Sequence, residues 1–183
     1  MKNKKQIRFM SLYKPHHEAF VRFCAARAYG VMEADDLVNE TIARVYEKLE
    51  ALKSDKAFLS YMFSVAGNII KNEIRKKKIV FFNNEIPGYF NIANNDNPEI
   101  KLDIEILYKA LNILPNEQKE ALILFEISGF SIKEITEMQN CSISSVKQRL
   151  RRGRQKLAEL LNDKTICEGS VGSRSKVLYT LFF

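Results

Sequence analysis

The sequence has no Trp, only seven Gly and four Pro, three Cys and two His in 183 residues. So few breakers leave room for long, uninterrupted helices. Cys24, Cys141 and Cys167 are an odd, scattered set without zinc-like spacing. They point to a reducing cytoplasm rather than to a disulfide framework. Cys24 and Cys141 stand among apolar neighbours and are expected to act as small buried hydrophobes. The two histidines, His16 and His17, are adjacent. On a helix they would point about 100° apart, which argues against shared metal ligation. No apolar run approaches the roughly 20 residues of a membrane span, so membrane insertion is not expected. The N-terminal MKNKKQIRFM is basic but lacks the apolar stretch of a secretory signal. There is no glycine-rich phosphate loop, no Ser-His-Asp set and no acid pair in a pocket pattern. The sequence therefore offers no catalytic residue, metal site or cofactor, and the expectation is a cytoplasmic protein that is not an enzyme.

What is present is positive charge and helical periodicity. Lys and Arg number 29 against 22 acids, giving a net charge of +7 and a pI near 9.3. That balance favours acidic partners, nucleic acid first. Apolar residues make up 46%, enough for real cores. The first clear helix is expected from near Lys14, opened by Pro15 and ended at Gly30. A second, from about 34 to 50, places Leu37, Val38, Thr41, Ile42, Val45 and Leu49 on one face, with Asp35 and Asp36 at its positive end. A third, from about 56 to 77, is capped by Ser54 or Asp55 and ends in the basic run Arg75-Lys76-Lys77-Lys78. The period then fails from about 79 to 98, which reads as a linker longer than most loops. Helices resume over 99–112 and from Pro115 to near Ser128.

Ser131-x-x-Glu134 is a capping box for a short helix ending near Gln139. Asn140 suits a left-handed turn position, and Ser142 or Ser144 caps a last long helix. Together these form a helix-turn-helix pattern. In that last helix six of the ten residues from Lys147 to Lys156 are Lys or Arg. On a helical wheel Val146, Leu150, Gly153 and Leu157 form the buried stripe. Ser144, Gln148, Arg151, Arg152 and Gln155 lie opposite, with Lys147, Arg149, Arg154 and Lys156 on the shoulders. Repulsion among like charges costs a few tenths of a kcal/mol per pair. Only Glu159 is near in sequence to offset it, so a merely solvated face is a poor explanation. Amides and guanidinia facing outward suit base edges in a major groove, and flanking cations suit phosphates.

The stretch ALNILPNEQKEALILFEISGFSIKEITEMQNCSISSVKQRLRRGRQKLAELL resembles the C-terminal DNA-binding domain of sigma-70 family sigma factors. EADDLVNETIARVYEKL resembles the segment of that family that binds the polymerase clamp helices. FLSYMFSVAGNIIKNEIRKKK resembles the helix that engages the −10 promoter element. The resemblance covers about 150 of the 183 residues. Its short form is similar to the extracytoplasmic-function (ECF) group.

The resemblance implies an all-α chain of two small helical domains and a flexible linker, the C-terminal domain being a helix-turn-helix. It divides as 11–79 for core polymerase and −10 DNA, 80–98 as linker, 99–162 for −35 DNA, and 163–183 as a tail without counterpart. Asp36, Asn39 and Glu40 match the polymerase-binding positions. Asn68, Lys71, Asn72 and Arg75 match the −10 helix. Ser54, Asp55 and Lys56 lie in the loop corresponding to the one that cradles a flipped −10 base. Ser144, Ser145, Lys147, Gln148, Arg151, Arg152 and Gln155 form the −35 set. Ser64 and Gly67 stand where many members carry Arg, and Gly153 replaces a better helix former at up to about 1 kcal/mol. The implied partners are core RNA polymerase, promoter DNA and, as a candidate, an anti-sigma factor. The alternatives are a stand-alone helix-turn-helix regulator with a helical sensor or dimerisation domain, and an adaptor whose basic helix binds an acidic protein.

Overall fold

The computed structural model describes residues 2–80 and 98–162, and among them no strand occurs. The linker expected over 80–98 and the tail over 163–183 fall outside the described residues, save Val80 and Pro98. The first unit contains α1 (Lys2–Tyr13), α2 (His17–Ala28), α3 (Ala34–Lys48) and α4 (Ala57–Val80). Helix thus begins at Lys2 and not near Lys14. Phe9 and Tyr13 of α1 are buried against the rest of the unit, at the i,i+4 spacing of one helix face. Pro15 sits in a short 3-10 turn, Lys14–His16, between α1 and α2. It has no backbone N–H to give, which suits a junction better than a helix interior.

Gly30 takes φ +68° to end the α2 turn, a conformation glycine adopts without strain. Asp35 and Asp36 open α3. Ser54 Oγ accepts from the Lys56 N–H at 3.2 Å just before α4. The unit closes around aromatic rings, with Phe63 meeting Phe23 and Phe20 edge-on at 4.6 and 5.4 Å. This geometry is favoured by the ring quadrupoles.

The second unit contains α5 (Pro98–Ile113), α6 (Asn116–Leu122), α7 (Ile132–Gln139) and α8 (Ile143–Asn162). The single helix expected from Pro115 to Ser128 is instead α6 followed by a π turn, Ile123–Ile127. Here the Ser128 N–H reaches the Ile123 carbonyl at 2.9 Å. Such a turn inserts one extra residue. The carbonyls of Ile127 and Ser128 are served by Arg22 of α2, from Nε at 3.0 Å and Nη2 at 3.2 Å. A donor so distant in sequence leaves no local trace.

The helix-turn-helix forms as expected. Ser131 and Glu134 make the full capping box, and Asn140 takes φ +47°. Ser142, rather than Ser144, accepts from the Ser145 N–H at 3.2 Å and opens α8. Val146, Leu150, Gly153 and Leu157 are the buried residues of α8. Gly153 has a packing reason. A Cβ there would lie 3.0 Å from Leu122 Cδ1, so α8 approaches α6 closely enough that any side chain at this position would make Leu122 give way. The buried residues of both units form one continuous apolar cluster.

Candidate nucleic-acid interface

The outward arc of α8 is assembled by its buried stripe. With Val146, Leu150, Gly153 and Leu157 inside, Ser144, Lys147, Gln148, Arg151, Arg152 and Gln155 are exposed and Ser145 is half-buried. The hydroxyls of Ser144 and Ser145 both hydrogen-bond with Ser142 Oγ, at 2.8 and 2.9 Å. These two serines are therefore partly engaged in starting the helix. Gln155 Nε2 reaches Glu159 Oε1 at 3.5 Å. The side chains of Lys147, Gln148, Arg151 and Arg152 have no hydrogen bond or ion pair to another described residue. Gln148 and Arg152 also border a cleft of about 310 Å³ whose far wall is the Pro115–Gln118 segment.

The shoulder cations behave differently. Arg149 is turned back onto the domain. It donates to Gln139 Oε1 at 2.8 Å and pairs with Glu117 Oε2 at 2.9 Å, tying α8 to α7 and α6. It also lies 3.3 Å from the half-buried Cys141 Sγ. Arg154 pairs with Glu126 at 2.6 Å and lies over the Phe125 ring. Lys156 meets Glu159 at 3.2 Å. The expectation that Glu159 alone offsets the charge of α8 is thus corrected. Glu117 and Glu126, from helix α6 and the π turn, neutralise two of the six cations. The remaining free charge is concentrated on Lys147, Arg151 and Arg152.

A second polar stripe runs along α4. Asn68, Lys71, Asn72 and Arg75 recur at i, i+3, i+4 and i+7, one side of a helix. The opposite side, Met62, Phe63, Ala66, Ile69 and Ile70, is buried. Asn68, Lys71 and Arg75 are exposed and Asn72 half-buried. Arg75 Nη2 donates to Asn72 Oδ1 at 3.3 Å.

Ser54, Asp55 and Lys56 are exposed in the loop before α4. Sequence reasoning missed what holds that loop. Arg8 of α1 donates to Asp55 Oδ1 from Nε at 3.0 Å and from Nη2 at 2.6 Å. Lys5 donates to the Glu47 carbonyl at 3.4 Å and lies over the Tyr46 ring. The signal that could have found this brace is the Phe9–Tyr13 spacing, which marks α1 as a packed helix. On α3, Asp36 and Asn39 are exposed, while Glu40 is half-buried and ion-paired with Arg44 one turn on. These three share a surface separate from the buried Leu37, Val38, Thr41 and Val45.

Among the described residues no group of three or more His, Cys, Asp or Glu could hold a metal ion. His17 Nδ1 is 2.8 Å from the Tyr13 hydroxyl, and the His16 ring lies near Phe130. Cys24 is fully buried, and burial pushes its thiol well above the ordinary range. That disfavours the reactive thiolate and fits a small core residue.

Comparison with known proteins finds two family regions in the chain. Residues 12–79 match the family Sigma-70 region 2, and residues 104–157 match Sigma-70, region 4. The chain is 29% identical over 128 residues to the ECF RNA polymerase sigma factor EcfG of Rhodopseudomonas palustris, covering 70% of this chain and 71% of that one. It is 27% identical over 168 residues to the ECF sigma factor SigW of Bacillus subtilis, covering 85% and 89%. Its fold is similar to that of CnrH solved with the cytosolic domain of CnrY, with TM-score 0.60, 24% identity and coverage of 84% and 87%. It is also similar to RpoE of Bartonella quintana solved with the anti-sigma factor NepR, with TM-score 0.56, 24% identity and coverage of 87% and 95%. The region 2 match lies outside the helix-turn-helix and separates this chain from a stand-alone helix-turn-helix regulator. With both regions present in order, the chain belongs to the ECF group of the sigma-70 family, whose members direct RNA polymerase to promoters.

Proposed function

We propose a division of labour within this sigma factor. Residues 11–79 hold core polymerase through Asp36, Asn39 and Glu40. The same unit captures unstacked −10 DNA with the Ser54–Lys56 loop and with Asn68, Lys71, Asn72 and Arg75. Residues 99–162 read −35 duplex through Ser144, Ser145, Lys147, Gln148, Arg151, Arg152 and Gln155. The segment 80–98 sets the distance between them. Capture of an extruded base on amide side chains couples recognition to strand opening, because its hydrogen-bonding edge is reachable only outside the stack. The protein works in the cytoplasm without a catalytic group or cofactor of its own; no helix among the described residues is long and apolar enough to cross a membrane. An anti-sigma factor is a further partner, by analogy with the complexes in which the similar structures were solved.

The observation that carries the reading is the contrast on α8. Two of its cations are held in ion pairs that orient the helix, and three are left free on its outer arc. A solvated surface helix needs no such partition; a helix that must enter a groove at a fixed angle does.

The polymerase surface is tested by Glu40→Lys in a titration against core polymerase. It should weaken capture at least about fivefold, the scale of ~1 kcal/mol. Arg44→Ala is the control, since it breaks the same i,i+4 pair without touching the acid. If both variants bind alike, Glu40 has only its local role.

A further inference from the structure

Helix α1 carries none of the residues proposed to touch polymerase or DNA, yet it grips the loop leading into α4 from both ends. The Phe9 ring meets Tyr46, in the last turn of α3, edge-on at 5.4 Å. It meets Phe58, in the first turn of α4, edge-on at 5.8 Å. Arg8, the preceding residue, spans the loop itself. Its Nη1 donates to the Leu49 carbonyl at 3.5 Å, and its Nε and Nη2 both donate to Asp55 Oδ1, at 3.0 and 2.6 Å. Asp55 Oδ2 takes no hydrogen bond or ion pair from another described residue.

We propose that Arg8 is a positioning residue for base choice at the −10 element. It holds the Asp55 carboxylate by one oxygen and leaves the other as the acceptor for the exocyclic amine of the captured base. The inference rests on the assignment of the Ser54–Lys56 loop given above.

The backbone of the loop is set by its neighbours. The Ala57 N–H donates to the Ser54 carbonyl at 3.0 Å, and the Phe58 N–H to the Asp55 carbonyl at 3.1 Å. What these contacts leave undetermined is the direction of the Asp55 carboxylate, and Arg8 supplies it. The two side chains are 37% and 56% exposed, and an ion pair so open to solvent adds little to stability. Its geometry is the specific part. Two donors of a planar guanidinium converge on one oxygen, which fixes direction as well as distance. An unheld aspartate would have to be ordered as the base arrives, at a cost in affinity. It would also set a bare negative charge against the DNA backbone.

An ionised carboxylate can only accept hydrogen bonds. With Oδ1 filled, Oδ2 suits a single donor. Adenine, cytosine and guanine each carry an exocyclic amine that can supply one. Thymine carries none. Its one donor, N3–H, lies between two carbonyl oxygens, which repel a carboxylate. The loop should therefore reject thymine at the position it reads.

The test is a selection by reconstituted holoenzyme on a promoter library randomised in the −10 block, with helical content of each variant checked by circular dichroism. The position read by the loop is the one whose preference changes in Asp55→Ala. There the wild type should favour an amine-bearing base over thymine. Arg8→Ala should cut that ratio at least about fivefold, the scale of one lost base contact, and leave the other −10 positions as they were. Lys5→Ala removes the neighbouring α1 contacts to Glu47 and Tyr46 and should leave the ratio unchanged. Arg8→Asp combined with Asp55→Arg can re-form the brace but presents a donor in place of an acceptor. Thymine should then rise above adenine and cytosine. If Arg8→Ala loses helix, this exchanged pair decides alone.

A wild type that prefers thymine at that position overturns the amine acceptor. An Arg8→Ala holoenzyme that binds every promoter more weakly with the ratio intact overturns the positioning role, and so does an equal loss of ratio in Lys5→Ala. A wild-type ratio in the exchanged pair overturns it too, since the brace would then serve the fold alone. A changed preference in Asp55→Ala beside an unaltered Arg8→Ala refutes the brace and leaves the loop assignment standing. An Asp55→Ala holoenzyme with no changed position refutes both.

Discussion

Helix α8 and helix α4 each carry a polar stripe that we propose meets nucleic acid, yet the two are built on different balances. On α8 charge dominates, and the helix is held from behind by Arg149–Glu117 and Arg154–Glu126. On α4 the stripe is rich in amides, and Ser64 and Gly67 keep its charge low; the loop before it is braced by Arg8. The difference fits the targets proposed for each. A rigid duplex is approached through its phosphates, so dense charge and a fixed helix angle serve it. An unstacked strand exposes base edges, and short amides that can both donate and accept suit them.

The largest break in that comparison comes from the platform under α8. Gly153→Leu forces a side chain into the 3.0 Å approach to Leu122. Overpacking of this kind costs about 1–3 kcal/mol, read by urea denaturation, while the α4 surface keeps its contacts. A smaller effect separates bracing cations from reading cations. Glu126→Ala strands the half-buried Arg154 and should cost about 1 kcal/mol of stability, discounted for partial exposure. Its log–log salt slope for duplex binding should barely change. Arg152→Ala should do the reverse, leaving stability alone and reducing the slope by about 0.9. If Arg152→Ala destabilises the fold and leaves the slope intact, the partition on α8 is wrong.

The smallest effect concerns pH. Lys119 faces Arg27 from α2, has Glu120 beside it on α6, and donates to Asn112 of α5 at 3.1 Å. In the folded chain its ammonium is pushed down from an ordinary 10.5 to about 8, first by burial and then by Arg27. Between those values the unfolded chain binds more protons, so the folded chain gains stability as pH rises from about 8 to 10.5. Below pH 8 the penalty is constant. A denaturation midpoint that rises across this window in the wild type, and stays flat in Lys119→Met, checks the sign.

Much of this was legible in the sequence because it is local. The stripe Val146, Leu150, Gly153, Leu157 follows from period alone, and so does the arc opposite it. The Ser131 capping box and the left-handed Asn140 are decided by neighbours within three or four residues. What was not legible depends on distant partners. Glu117 and Glu126 lie on other elements, so the wheel of α8 left Arg149 and Arg154 unpartnered. The π turn after α6 is stabilised by Arg22, which no window around Ile127 contains. Helix α1 was missed for a different reason: its lysines hid the spacing of Phe9 and Tyr13.

The most direct measurement is a selection by reconstituted holoenzyme on a promoter library randomised separately in its −35 and −10 blocks. Gln148→Ala and Arg152→Ala should each change preference within the −35 block, by about 1–3 kcal/mol for each lost bidentate contact, and leave the −10 block untouched. Asn68→Ala should change the −10 block alone. Lys156→Ala, on the shoulder and paired with Glu159, should weaken all sites alike, since phosphate contacts carry no direct sequence information. A −35 preference that follows Lys156 rather than Gln148 and Arg152, or an Asn68 variant with unchanged −10 preference, would contradict the account.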